Sequence, residues 1–248
     1  MNKNIIGKTF SSNQYGDFVV CSIEDSRNVL IKFVKTGFVT KVKMSSVVDG
    51  AVKDKLYPSV CGVGVTGSKY LTWSNGKSLP EYVAWKGMIE RCYSEKLHKK
   101  QPSYSNCKVS ENFKSYEYFY EWMNGCVYYK EGWELDKDLL VRDNKTYSEE
   151  TCVFLPKELN SFLTKRGRFR GENPLGVYRK TGQSSFKAYI SIFGKIKQLG
   201  SFPTKEDAFM AYKVAKQNHA KLLAEKYKDV IDPRAYNALL NYEVKITD

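Results

Sequence analysis

Three apolar runs open the chain: Phe18–Ile23 (FVVCSI), Asn28–Val34 (NVLIKFV) and Phe38–Met44 (FVTKVKM). They are rich in β-branched and aromatic residues, and the polar stretches EDSRN and KTG separate them, so they predict short strands. Gly16, Gly37, Gly50, Gly62, Gly64 and Gly67 punctuate the same region. The expectation is a small β barrel-like domain over residues 1–67, followed by a linker, VTGSKYLTWSNGKSLP. The period then changes. Behind Pro80, a residue suited to a first helical turn, Val83, Trp85, Met88, Ile89 and Cys92 fall near helical spacing. Phe113, Tyr116, Phe119, Tyr120 and Met123 do the same, with Gly125 as a stop, and this aromatic stripe reads as core. WELDKDLL and TCVFLP predict two strands around the turn RDNKT, and a helix begins at Pro156.

The last segment alternates most clearly. In SFKAYISI, Phe186, Ala188, Ile190 and Ile192 fall on one face, with Lys187, Tyr189 and Ser191 on the other. The apolar face needs a cover. A long helix from Thr204 to about Tyr227 supplies one, with Ala208, Ala211, Tyr212 and Ala215 at helical spacing and Thr204 and Asp207 as a near capping box. A short helix is expected near PRAYNALLNY. The predicted class is α+β. It comprises the β-rich domain 1–67, a central helical and ββα domain at 80–164, a basic linker at 165–172, and a domain at 173–248 with a three-stranded sheet packed on one long helix.

Charge changes this picture. The 248 residues carry a formal net charge of +13 and a pI of about 9.3. Between Ser161 and Gly200 stand nine Lys or Arg (165, 166, 168, 170, 179, 180, 187, 195, 197) against one acid, Glu172. That stretch alone contributes 9 − 1 = +8 of the excess, the footprint of a polyanionic partner. The charge sits on a strand pattern, not on an amphipathic helix, which favours nucleic acid over an anionic membrane surface. A twisted three-stranded sheet fits the major groove of duplex DNA. RNA fits less well, because the sheet lacks the paired surface aromatics that stack unpaired bases. Lys165, Arg166, Arg168 and Arg170 around Gly167 form an arm expected to follow the DNA backbone or minor groove.

The six cysteines form no CxxC pair, so they read as reduced, mostly buried thiols. No export signal and no run of about 18 apolar residues is present, so the expectation is a cytoplasmic protein with no membrane association. The two histidines, His98 and His219, read as a loop residue and a helix-surface residue.

Two resemblances extend this reading. AWKGMIERCY, SENFKSYEYFYEWM, LDKDLL and NKTYSEETCVFLPKELN stand in the order and spacing of phage-encoded homing endonucleases of the HNH type. Trp85, Met88, Arg91, Cys92, Leu135, Asp136, Lys137, Tyr147, Cys152 and Asn160 fit the pattern, over about residues 82–163. The resemblance implies a ββα fold holding one divalent metal, with a histidine on the first strand activating water. Here that strand carries Asp136, Lys137 and Asp138, so the general base is missing. Asp136, Asp138 and Asn160 would hold Mg²⁺ if the chain cleaves; otherwise they are turn and capping residues, with Asp138 and Asn144 organising the hairpin. The segment Gly176-Val177, Phe186-Lys187-Ala188 and LGSFPTKEDAFMAYKVA resembles the ethylene-response-factor (Apetala type) DNA-binding domain, over about residues 173–220. That resemblance implies duplex readout by Tyr178, Arg179, Lys180, Lys187, Tyr189, Ser191, Ile196 and Gln198. Lys195 and Lys197 join them because the pattern does not fix the parity of the third strand. Plant members carry Arg or Trp where Tyr178, Ser191, Ile196 and Gln198 stand, so their target sequence does not transfer. Two functions follow. One is a sequence-specific double-stranded-DNA-binding protein, without nuclease activity or cofactor, acting as a transcriptional repressor. The other is an active Mg²⁺-dependent endonuclease.

Overall fold

Phe18, Val20, Val29, Ile31 and Phe33 are all fully buried, as the alternation of the first strands requires. The computed structural model describes residues 3–164 and 173–248, and the basic arm Lys165, Arg166, Arg168 and Arg170 lies outside these. The chain divides into two units, Met1–Gly125 and Cys126–Asp248, each described in turn. The class is α+β. Among the described residues no helix is long and apolar enough to cross a membrane.

The first unit begins with strands β1 (Thr9–Ser11), β2 (Asp17–Ile23), β3 (Val29–Phe33) and β4 (Val39–Val42). They form an antiparallel meander in the order β1-β2-β3-β4. Its apolar face is covered by Val47 of helix α1 (Met44–Val48) and by Val52. The barrel-like expectation is corrected here. β1 and β4 span three and four residues and do not pair, so the sheet stays open. A bulge between Val20 and Ser22 leaves Cys21 exposed. Cys61 is also exposed, while Cys92, Cys107 and Cys152 are buried, so only half of the thiols lie in cores.

The expected linker contains a hairpin, β5 (Trp73–Ser74) with β6 (Lys77–Ser78), turning through Asn75 and Gly76 at positive φ. Helix α2 (Pro80–Tyr93) buries Trp85, Met88, Ile89 and Cys92. Val83, counted with that stripe in the sequence, is exposed instead. The short helix α3 (Glu95–Lys100) carries His98, whose Nε2 lies 2.9 Å from the Arg91 carbonyl, so this histidine is not a solvated loop residue. β7 (Lys108–Val109) precedes helix α4 (Tyr116–Gly125), which buries Tyr116, Phe119 and Met123. The Trp85 indole donates to the Phe113 carbonyl at 2.8 Å, satisfying its N–H inside the aromatic cluster.

In the second unit, β8 (Glu134–Asp136) pairs antiparallel with β10 (Val153–Leu155), with β9 (Thr146–Tyr147) between them in sequence and helix α5 (Lys157–Leu163) after them. Strands β11 (Val177–Tyr178), β12 (Phe186–Ile192) and β13 (Lys195–Phe202) form an antiparallel sheet. The 23-residue helix α6 (Lys205–Tyr227) and α7 (Pro233–Leu240) complete the unit. α6 serves two cores. Its first half places Ala208, Phe209 and Tyr212 against Val177, Ala188 and Ile190 of the sheet. Its second half places Ala220, Leu223 and Ala224 against Val153, Leu155, Leu159 and Phe162, with Ile231, Ala235 and Leu239 closing the cluster. Arg234 of α7 donates to the Glu150 carbonyl at 3.1 Å and pairs with Asp232 at 2.8 Å, tying α7 to the ββα hairpin.

The approach of sheet and helix depends on Gly176. Its φ is +74°, and a Cβ there would overlap the Tyr212 ring. Gly176→Ala is expected to destabilise the unit by about 3 kcal/mol or more, combining the left-handed backbone cost with the displaced ring. A urea melt with an unchanged midpoint would contradict this packing.

Candidate nucleic-acid interface

Cross-strand partners share a face, so register decides which side chains the three-stranded sheet turns away from α6. Tyr178 pairs with Lys187, Tyr189 with Gln198, and Ser191 with Ile196. Ala188 and Ile190 are buried against the helix, so these six residues form the opposite face. The Tyr189 hydroxyl donates to Gln198 Oε1 at 3.1 Å, linking two of them across the strands. The parity of the third strand is thereby fixed. A register shift between Ala188 and Tyr189 leaves Leu199 as the extra residue of a bulge. Beyond it, Ile196 and Gln198 turn outward. Lys195 and Lys197 pair with Ile192 and Ile190, on the side that α6 occupies, yet remain exposed at the edge strand. Simple alternation back from Phe202 gives the reverse, which is why the sequence alone leaves these positions open.

The charge on this sheet is uncompensated. Among the described residues, Arg179, Lys180, Lys187, Lys195 and Lys197 form no ion pair, and no Asp or Glu occurs from Gly176 to Phe202. The Arg179 guanidinium lies 5.2 Å from the centroid of the Phe186 ring, which holds it beside the sheet while its charge stays in solvent. The hairpin tip between β12 and β13 turns through Phe193 (φ 49°) and Gly194 (φ 77°).

The second cluster predicted from sequence is engaged in its own fold. Asp136 is buried, and its Oδ1 accepts the backbone N–H groups of Asp138 (3.0 Å) and Leu139 (2.8 Å). This Asx turn ends β8 at Asp136, short of the predicted strand WELDKDLL. Burial pushes the Asp136 carboxyl above the ordinary range, against the pull of those two N–H groups. Lys137 is buried, donating to Asp138 (2.5 Å) and to the Asn144 carbonyl (2.9 Å). The Asn144 amide donates to the carbonyls of Lys137 and Thr146, both at 2.7 Å, and its Oδ1 accepts from the Thr146 N–H. Asn160 donates to Glu134. Burial pushes the Cys152 thiol up to about 12, leaving it unreactive. No group of three or more His, Cys, Asp or Glu stands together among the described residues. Asp136, Asp138 and Asn160 thus each have their own hydrogen-bond partners.

His219 is not a surface residue. It is 5% exposed and lies edge-on between Phe162 of α5 and Phe193 of the hairpin tip, each ring centroid 5.2 Å away. Neither ring nitrogen has a hydrogen-bond partner among the described residues. The helical period carried a signal for this, because His219 stands four residues after Ala215 and continues the stripe of Ala208, Ala211, Tyr212 and Ala215. Comparison with known proteins brings no match: no protein-family model, no curated protein and no solved structure is similar to this chain.

Burial and the neighbouring Lys216 hold the His219 imidazole below its usual range, with Glu158 opposing. The unfolded chain then binds a proton first as pH falls below about 6.5, so stability is complete above that value and declines beneath it. The urea midpoint is expected to fall between pH 7 and pH 5, and His219→Leu is expected to flatten that decline. Identical pH profiles for the two proteins would exclude His219 as its source.

Proposed function

We propose that the second unit binds double-stranded DNA sequence-specifically through the outward face of its three-stranded sheet, and that the protein acts as a transcriptional repressor without cutting. The observation that carries this is one uncovered sheet face. It has Lys187, Tyr178, Tyr189, Ser191 and Gln198 on one side, with Arg179 and Lys180 following directly after the first strand and no acid in the three strands. Lysines and arginines that displace condensed counterions supply affinity. Polar side chains on a sheet lying in the major groove supply readout, and Gln198, oriented by Tyr189, matches the donor and acceptor of adenine. The ethylene-response-factor resemblance agrees with this assignment, residue by residue, at Gly176, Val177, Phe186, Ala188 and the LGSFPTKEDAFMAY run.

The order β8, β10, α5 has the ββα succession of the HNH resemblance and keeps an active Mg²⁺-dependent endonuclease as the second reading. The engagement of Asp136 in its turn and of Asn160 with Glu134, and a first strand without histidine, weigh toward a binding protein descended from such enzymes.

Two outcomes follow. Arg179→Ala combined with Lys187→Ala is expected to weaken binding to a selected duplex at least tenfold, and to reduce the log–log salt slope by about one unit per lost phosphate contact. Anisotropy titrations showing unchanged affinity in the folded double variant would remove the sheet as reader. Incubation of the bound duplex with Mg²⁺ or Mn²⁺ is expected to give no nicks. Site-specific cleavage that disappears in Asp136→Ala or Asn160→Ala would establish the nuclease in place of the repressor.

A further inference from the structure

The bulge at Leu199 has a consequence for what the sheet can recognise. Strand β13 begins Lys-Ile-Lys-Gln-Leu. Without the bulge, alternation from the inward Phe202 would send Ile196 toward α6 and both lysines outward. With it, Ile196 stands outward opposite Ser191, two positions from Gln198 on the same face. Bulges commonly re-aim side chains next to functional sites. Here the re-aimed side chain is aliphatic and 79% exposed, and it is not among the residues packed on the cluster that α6 covers. A lone surface aliphatic needs no explanation. This one stands within the reading face, among residues that otherwise hydrogen-bond or carry positive charge.

Resting on the DNA-binding reading, we propose that Ile196 recognises the C5-methyl group of a pyrimidine in the major groove. Thymine displays that methyl group there, and 5-methylcytosine displays the same one. Apolar contact is the way a side chain distinguishes such a base from its demethylated counterpart. Ile is suited to it: its branched Cβ restricts χ1, so little rotamer freedom is lost when it is pressed against a base edge. The surroundings favour a nucleic acid over an apolar protein surface. Lys187 lies on the adjoining strand and the same face without an ion pair among the described residues, and an apolar protein partner would leave it desolvated and unmatched. Gln198, beside Ile196, would address the next base pair, so the two side chains would read adjacent positions.

The test uses the full-length protein and a duplex selected from a random-sequence pool built with thymidine. Each thymidine in the selected duplex is replaced singly by deoxyuridine, and each cytidine by 5-methyldeoxycytidine. The change removes or adds one methyl group and leaves base pairing intact. One position is expected to be sensitive. Deoxyuridine there weakens binding about three- to tenfold, or 5-methylcytosine there strengthens it by the same factor, the two arms distinguishing the source of the methyl group. Ile196→Ala is expected to remove that sensitivity and Ile196→Val to keep most of it. Arg179→Ala is expected to weaken the methylated and demethylated duplexes equally. Because Ile196 is exposed, the unfolding midpoint of its variants should match that of the parent. A selected duplex with no methyl-sensitive position overturns the proposal and leaves DNA binding standing, as does a sensitivity that survives in Ile196→Ala. Recovery of no specific duplex overturns the DNA-binding reading, and this proposal with it.

Discussion

The close packing of α6 is the constraint on which the second unit depends. One helix supplies the inner wall of two cores, and small residues make this geometry available. Ala208 lets the sheet approach at one end, and Ala220 and Ala224 let the ββα hairpin and α7 approach at the other. Gly176 does the same from the sheet side, because the Tyr212 ring occupies the place a Cβ would take. The consequence is directional. A three-stranded sheet with its apolar face committed to α6 has one face left, and on this sheet that face holds Lys187, Tyr189, Ser191, Ile196 and Gln198. The helix thus fixes both the stability of the sheet and which of its faces stays open.

The same economy governs the ββα hairpin. Asp136 and Asn160, with the neighbouring Lys137 and Asn144, are spent on local structure: a turn, a strand-to-helix contact, an ion pair from a buried lysine to an exposed Asp138, and a backbone clasp. Asp136 Oδ1 holds the turn by accepting two N–H groups, and a role for that oxygen in binding a cation would compete with these bonds. The hairpin contributes Val153 and Leu155 to the core packed on the second half of α6.

Much of this was legible in the sequence, and the reasons for success and failure are physical. The inward set Phe186, Ala188, Ile190 and Ile192 could be read because a half-buried strand alternates with period two. The start of α6 could be read because Thr204 and Asp207 cap it, with the Asp207 N–H donating to Thr204 Oγ1 at 3.1 Å. The third strand could not, because a bulge shifts parity without any marker in composition. Closure of the first sheet could not be judged either, since it depends on whether β1 meets β4 and not on the runs that form them. His219 was misread as a surface residue although it continues the helical stripe beyond Ala215; its neighbours there, Phe162 and Phe193, come from a second helix and a hairpin tip. For Asp136 the sequence offered a turn role and a ligand role side by side, since an Asx turn and a catalytic carboxylate use the same residue type, and the structure shows the turn.

The central claim is that one face of one sheet meets DNA, and the most direct measurement is amide chemical-shift mapping of the labelled protein titrated with a selected duplex. The account predicts the largest shifts at Tyr178, Lys187, Tyr189, Ser191, Ile196 and Gln198, with small shifts along the buried face of α6. Large shifts confined to the first unit or to α7, with the sheet unaffected, would contradict it.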